Sequence, residues 1–298
     1  MVSNICNLSF IISTRNRLPF LKITLEKLLL EVLADEEIVV VDGNSTDGTK
    51  EYLQGLFAAG KIHQFISEPD KNQAHGWNKA MLLAKGILIK KIIDDDVFCY
   101  SAIRECKNYM LANEQIDVCI SNDLGSTISN PKNIEKYSRY AYYTSWKNKE
   151  TPSFTFGDVH LLLRRTSLAY IGLYNTDFVM MDWEYSLRIS YLKANIIYYT
   201  GYNALSVFHP GTVSAQKNKS DLERESEIGK LLYYYKGDGA DISLWSKVKI
   251  FIGKLVLPAK KGPATALQNN AESDISSNYA FFYEYIEKLH DNLKGEFC

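Results

Sequence analysis

Three carboxylates stand side by side at Asp94, Asp95 and Asp96, directly after the apolar run from Ile87 to Ile93. Adjacent carboxylates at the end of a buried strand repel one another and need a cation or donors to compensate. Hard divalent ions such as Mg²⁺ take carboxylate oxygens and keep substrate phosphates as further ligands. The same triplet would also serve as a solvated turn, with one Asp capping the helix that starts near Ser101. The apolar strand before it favours the metal. Asp182 is the second chemical residue, near the start of an amphipathic helix predicted over 181–193, where the helix dipole favours a carboxylate. It is either a general base or a simple helix-start residue, and we favour the base. Glu184 and Arg188 read as a structural i,i+4 pair. His209 precedes Pro210-Gly211 and suits a structural hydrogen bond as well as a phosphate or metal contact.

The elements that must position these residues alternate. Strands are predicted at 8–13, 38–42, 62–66, 87–93 and 117–121, and helices at 19–33, 46–57, 73–84 and 100–112. Repeated β-α-β order predicts a largely parallel sheet with helices on both faces. Ligands of such sheets bind outside the carboxyl ends of the strands. Thr14-Arg15-Asn16 follows the first strand, Asp42-Gly43-Asn44 the second and the Asp triplet the fourth. Three polar clusters therefore converge on one edge, which implies a nucleotide-type pocket. Residues 122–152 have weak periodicity and read as a loop-rich insertion. Strand character returns at 159–163, 196–200 and 204–209. Helices are predicted at 221–235, 244–257 and 277–293.

Composition narrows the partners. The 298 residues are 46% apolar and 23% charged, a globular balance. Lys and Arg total 34 against 35 Asp and Glu, so nucleic acid is not an expected partner. Five cysteines without Cys-x-x-Cys spacing argue against a disulfide scaffold and for a reducing, cytoplasmic setting. Residues 1–17 lack the marks of a signal peptide, and no apolar run reaches membrane-spanning length. No His-x-x-x-His pair supports a zinc hydrolase. The 20 tyrosines, many between Tyr137 and Tyr202, suit contacts with sugars or protein partners as well as plain packing.

Several blocks then resemble one family. Phe10-Ile-Ile-Ser-Thr-Arg-Asn-Arg17 and Ile38-Val-Val-Val-Asp-Gly-Asn-Ser-Thr-Asp-Gly-Thr49 look like the opening of family 2 glycosyltransferases with the GT-A fold. Glu68 to Ala80 resembles the next block, Ile93-Asp-Asp-Asp-Val-Phe98 the Asp-x-Asp-type motif, and Met181 to Arg188 the acidic helix start. Phe208 to Ser214 is similar to a loop that closes over the donor. The resemblance covers about residues 5 to 215. It implies that Thr14 and Asp42 lie against base and ribose, that Asp94 contacts ribose or metal, and that Asp95 or Asp96 ligates the metal. Arg15 and Asn78 join the donor-binding group on the same ground, His209 joins the metal group, and Asp182 is the base. His75 and Trp77 would line the donor edge, with helix packing the stronger alternative for Trp77.

The expected fold is a GT-A-like α/β domain over 1–215, with a nucleotide-binding half (1–121) and an acceptor half (122–215). A helical C-terminal appendage follows at 216–298. The expected function is metal-dependent (Mn²⁺ or Mg²⁺), inverting transfer of a sugar from a nucleotide-diphosphate sugar to a hydroxyl of a saccharide or lipid-linked saccharide. Assembly of bacterial surface polysaccharide or glycoconjugate is the expected setting. Alternatives are a pseudoenzyme that binds nucleotide sugar or glycan and a sugar nucleotidyltransferase, although no Gly-rich phosphate loop follows the first strand. In 244–257, Leu244, Val248, Phe251, Ile252 and Leu255 share one face flanked by Lys247, Lys249 and Lys254. Such a helix would lie on the inner membrane surface or pack on the catalytic domain.

Overall fold

The computed structural model describes residues 5–209, 219–235 and 272–298. Strands β1 (Leu8–Thr14), β2 (Glu36–Asp42), β3 (Gln64–Ser67) and β4 (Leu88–Lys91) alternate with helices α1 (Leu18–Glu31), α2 (Thr49–Ala58) and α3 (Gln73–Leu83). The short β5 (Val97–Phe98) and helix α4 (Tyr100–Ala112) follow. Next come β6 (Val118–Thr127), β7 (Asn130–Tyr137), α5 (Tyr140–Lys147), β8 (Leu162–Arg164), α6 (Leu168–Ile171), α7 (Met181–Tyr191) and β9 (Ile196–Phe208). Helices α8 (Lys219–Leu232) and α9 (Glu272–Asn292) complete the described chain.

One sheet runs β3-β2-β1-β4-β8-β6-β9-β5, with β7 paired to β6. Its first four strands are parallel, as β-α-β order predicts. Beyond β4 the sheet is mixed: β8 runs antiparallel to β4 and β6, while β6 and β9 are parallel. Side chains alternate across each strand, and the two faces build two cores. Phe10, Ile12, Ile38 and Val40 face α1, α4 and α9. Ile11, Val39 and Val41 face α3, α5 and α7.

Three segments differ from the sequence reading. The loop-rich insertion at 122–152 is the outer half of β6, the hairpin strand β7, and α5. β7 hides because Asn130, Lys132, Asn133, Glu135 and Lys136 lie on an exposed edge strand without apolar alternation. The strand expected from Val159 begins only at Leu162, because Asp158–His160 forms a 3₁₀ turn. The two strands expected at 196–200 and 204–209 are one, β9. Gly201 breaks the apolar pattern because the Tyr199 ring fills its side-chain space, 2.4 Å from where a Cβ would stand.

The expected C-terminal helix is present, and it is part of the main core. Tyr279, Phe282 and Ile286 of α9 are buried there, and Phe297 stacks on Tyr109 at 3.9 Å. Burying those three side chains contributes several kcal/mol at about 1.5–3 kcal/mol each. The Lys-flanked segment 244–257 lies outside the described residues. Among the described residues, no helix is long and apolar enough to cross a membrane.

Candidate active site

Sheet register builds the site. Thr14 pairs with Asp42 across β1 and β2, and Ile11 pairs with Lys91 across β1 and β4. The chain leaves β4 three residues before the end of β1, which carries Asp94 beside Thr14. The Thr14 hydroxyl donates to Asp94 Oδ2 at 2.6 Å, and Thr24 Oγ1 of α1 donates to the Asp94 carbonyl at 2.8 Å. All three aspartates are buried.

Three different environments hold the three acids. Arg17 donates to Asp95 and lies 3.8 Å from Asp94. His209 Nε2 meets Asp95 Oδ2 at 2.9 Å, and its ring stacks on Phe20. Burial alone would raise the Asp95 carboxyl, but the His209 hydrogen bond and the Arg17 charge hold it below the usual range. Burial pushes Asp94 up to about 6 despite Arg17, with Asp95 adding to the rise. Asp96 is pushed well above the usual range by burial and by Asp95, although Val207 N–H donates to its Oδ1 at 2.8 Å. Asp95 is therefore the member of the triplet whose charged form is favoured most, and it faces an imidazole. From the far side, Tyr279 of α9 donates to the Asp95 carbonyl at 2.5 Å.

Two cavities share Asp95, Ile93 and Gln73. The smaller, about 170 Å³, is lined by Thr14, Arg15, Arg17, Trp77 and Asp94 at the carboxyl ends of β1 and β4. The larger, about 500 Å³, includes Asp96, Asp182, Lys91, Asp158 and the inner faces of β6 and β9. Lys91 Nζ, Asp158 Oδ2 and the Tyr174 hydroxyl form a buried triad in its wall, at 2.5 and 2.7 Å.

Asp182 reaches the larger cavity from the first turn of α7. That turn is fixed by α8, whose buried Glu225 accepts from Val179 N–H at 2.9 Å and Met180 N–H at 2.8 Å. Glu184 lines neither cavity: it is 1% exposed, bonds Arg188 at 3.0 and 2.9 Å, and accepts from Tyr233. Asp182 and Glu184 thus occupy different worlds within one helix turn.

Two expected donor residues have other contacts. Asp42 is fully buried, accepting from Ser45 and from Ser67 Oγ, and it lines neither cavity. Asn78 exchanges both amide atoms with the Tyr174 backbone, at 2.9 and 2.8 Å, and clasps α3 to the 174 loop. Its spacing within the 68–80 block gives no hint of that partner 96 residues away. Arg17, Gln73 and Glu225 escaped the sequence reading. The triplet's need for a compensating cation was the available signal for Arg17.

The residues suit a divalent cation of one kind. Among the described residues, no three His, Cys, Asp or Glu side chains form a cage. Asp95 and His209 instead present a carboxylate and an imidazole side by side. Such a pair fits a cation whose remaining positions are filled by phosphate oxygens and water.

A parallel sheet half joined to a mixed half, with paired cavities at the switch, is the GT-A fold, and solved structures match it. S. aureus TarS 1–349 in complex with UDP-GlcNAc superposes with a TM-score of 0.58 at 18% identity, covering 84% of this chain and 71% of that one. The mannosyltransferase PcManGT from Pyrobaculum calidifontis, in complex with GDP-Man and Mn²⁺, gives 0.51 at 16% identity, covering 96% and 73%. The chain belongs to glycosyl transferase family 2, whose family model matches residues 9–172. Chondroitin synthase of Pasteurella multocida (strain Pm70) and hyaluronan synthase of Pasteurella multocida are each 25% identical over 159 residues. That match spans 51% of this chain and only 16% of either relative.

Proposed function

We propose that the chain transfers a sugar from a nucleoside-diphosphate sugar to a saccharide hydroxyl, with inversion and with a divalent cation. The carrying observation is the junction of the two cavities at Asp95, with Thr14 and Arg15 on one side and Asp182 on the other. In this reading the nucleotide occupies the smaller cavity, and the sugar and acceptor share the larger one. Residues 1–121 form the nucleotide half, 122–215 the acceptor half, and 216–298 a C-terminal part that buttresses the aspartates through Tyr279.

Asp182 accepts the proton of the attacking hydroxyl as that oxygen approaches the anomeric carbon from the face opposite the diphosphate. Arg15 and Arg17 offset phosphate charge, and Thr14 holds Asp94 toward the ribose. Asp42 acts through the loop it shapes with Ser45, and Asn78 through the 174 loop. Asp95 and His209, with Asp96 beside them, would hold Mn²⁺ or Mg²⁺, which as a Lewis acid would stabilise the departing diphosphate. Bacterial polysaccharide assembly is proposed because the matched relatives are bacterial synthases of chondroitin and hyaluronan. Peripheral contact with the inner membrane face through 244–257 rests on sequence pattern alone.

A panel of UDP- and GDP-sugars, saccharide acceptors and Mn²⁺ tests the reading. It predicts release of free nucleoside diphosphate together with a product of inverted anomeric configuration, read by NMR. Donor binding without product for any acceptor would favour a pseudoenzyme, and formation of nucleoside triphosphate and sugar 1-phosphate on addition of pyrophosphate would favour a nucleotidyltransferase.

A further inference from the structure

The larger cavity carries two large aromatic rings in the open. Tyr137 of β7 is 50% exposed and Phe208 of β9 is 51% exposed, yet both line the cavity that holds Asp182. Most of the tyrosines around them are consumed by packing: Tyr143, Tyr174, Tyr185, Tyr198 and Tyr199 are buried in the two cores. Strand register explains how the two rings come together. Tyr137 pairs with Asp123, and two residues on, Gly125 pairs with Ser206, two before Phe208. These positions share one face of the sheet. At Gly125 a Cβ would stand 3.2 Å from Phe208 Cε2 and 3.9 Å from Tyr137 Cε2. The missing side chain lets both rings lie over the Gly125 backbone, side by side on the cavity wall.

Polar groups line the same wall. Among the described residues, Asp123 Oδ1 and His160 Nδ1 are buried without a hydrogen-bond partner, and His160 Nε2 stops 3.6 Å from Asp123 Oδ1. Burial lowers the His160 pKa, so the ring offers hydrogen bonding without charge. Aromatic faces beside convergent hydrogen-bonding groups are the chemistry of a pyranose, with its apolar C–H face and hydroxyl rim. Charge decides which pyranose. Among the described residues, the Lys and Arg side chains lining this cavity are Lys91 and Arg139, and both are engaged, Lys91 by Asp158 at 2.5 Å and Arg139 by Asp123 at 3.3 Å. The carboxylates of Asp95 and Asp182 line it as well. A carboxylate or phosphate on the ring would therefore meet an excess of acid.

We propose that Tyr137 and Phe208, flanking Gly125, stack an uncharged pyranose ring of the acceptor, with Asp123 and His160 taking its hydroxyls. This rests on the glycosyl-transfer reading above and adds the class of acceptor ring.

The test uses the full chain saturated with UDP or GDP and Mn²⁺. Uncharged methyl hexopyranosides and N-acetylhexosaminides are compared with methyl glucuronide and glycerol phosphate by saturation-transfer NMR and calorimetry. An uncharged glycoside should bind best. Tyr137→Ala and Phe208→Ala should each weaken it about tenfold, as loss of ~50 Å² of apolar contact implies. Tyr137→Phe should retain binding, and Gly125→Val should block it. Nucleotide affinity should be unchanged in all four variants. The inference is overturned if an anionic compound binds best, if no saccharide binds, or if both Ala variants bind as the wild type does. A wild-type chain that fails to bind either nucleotide would instead overturn the glycosyl-transfer reading.

Discussion

Arg17 is the cation that lets three buried aspartates sit together, and replacing it tests the electrostatics of the site. Arg17→Met keeps the apolar stem and removes the guanidinium from Asp95 and Asp94. Breaking a buried ion pair by deleting one partner costs about 3–5 kcal/mol. The Arg17 side chain is 16% exposed, so water screens part of that, and about 2–3 kcal/mol is expected. For a chain of this size that lowers Tm by roughly 5 °C in chelator. A divalent cation at about 100 times its Kd stabilises by ~2.7 kcal/mol, enough to restore most of the loss. The variant, with one fewer competing cation, should also gain more from Mn²⁺ than the wild type does. Thermal unfolding in EDTA and in a Mn²⁺ series reads both effects. A variant as stable as wild type in EDTA, or one that gains less from Mn²⁺, would refute this account of the triplet.

Other perturbations separate structure from chemistry. Glu184→Gln should destabilise by about 3 kcal/mol in urea unfolding, since it removes the buried charge that pairs with Arg188, while the folded fraction keeps its turnover. Lys90 is fully buried, bonded to the Val159 carbonyl and to Asn203 Oδ1, and desolvation lowers its pKa to about 7. The unfolded chain, with its ordinary lysine near 10.4, binds that proton more readily above pH 7. Wild-type stability should therefore rise relative to Lys90→Met by about 1 kcal/mol per pH unit between pH 7 and 9. A flat difference across that window would show that the ammonium is solvated in the fold.

Much of this was legible in the sequence where local pattern and long-range packing agree. The apolar runs of β1, β2 and β4 and the helix signals of α1 to α4 were readable because each strand is buried on both faces. Convergence of Thr14, Arg15 and the aspartates followed from the sheet rule alone. β7 was not legible, since an exposed edge strand needs no apolar alternation. The partners of Asn78 and Asp95 were not legible either, because Tyr174 and His209 lie 96 and 114 residues away in sequence. Glu184 with Arg188 was readable as a pair but not in strength: an i,i+4 pair on a surface contributes only about 0.2–0.5 kcal/mol, and burial changes its scale.

The central claim is that Asp182 is the base of a glycosyl transfer, and one substitution tests it most directly. Asp182→Asn preserves size and hydrogen bonding but cannot accept the acceptor's proton. Turnover at saturating donor and acceptor should fall by ~10²–10⁴-fold, the usual contribution of a positioned general base. Affinity for the nucleoside diphosphate, measured by calorimetry on the same preparation, should stay within about twofold, since Asp182 lines the larger cavity and not the smaller one. Near-normal turnover by Asp182→Asn, with donor binding intact, would contradict the account.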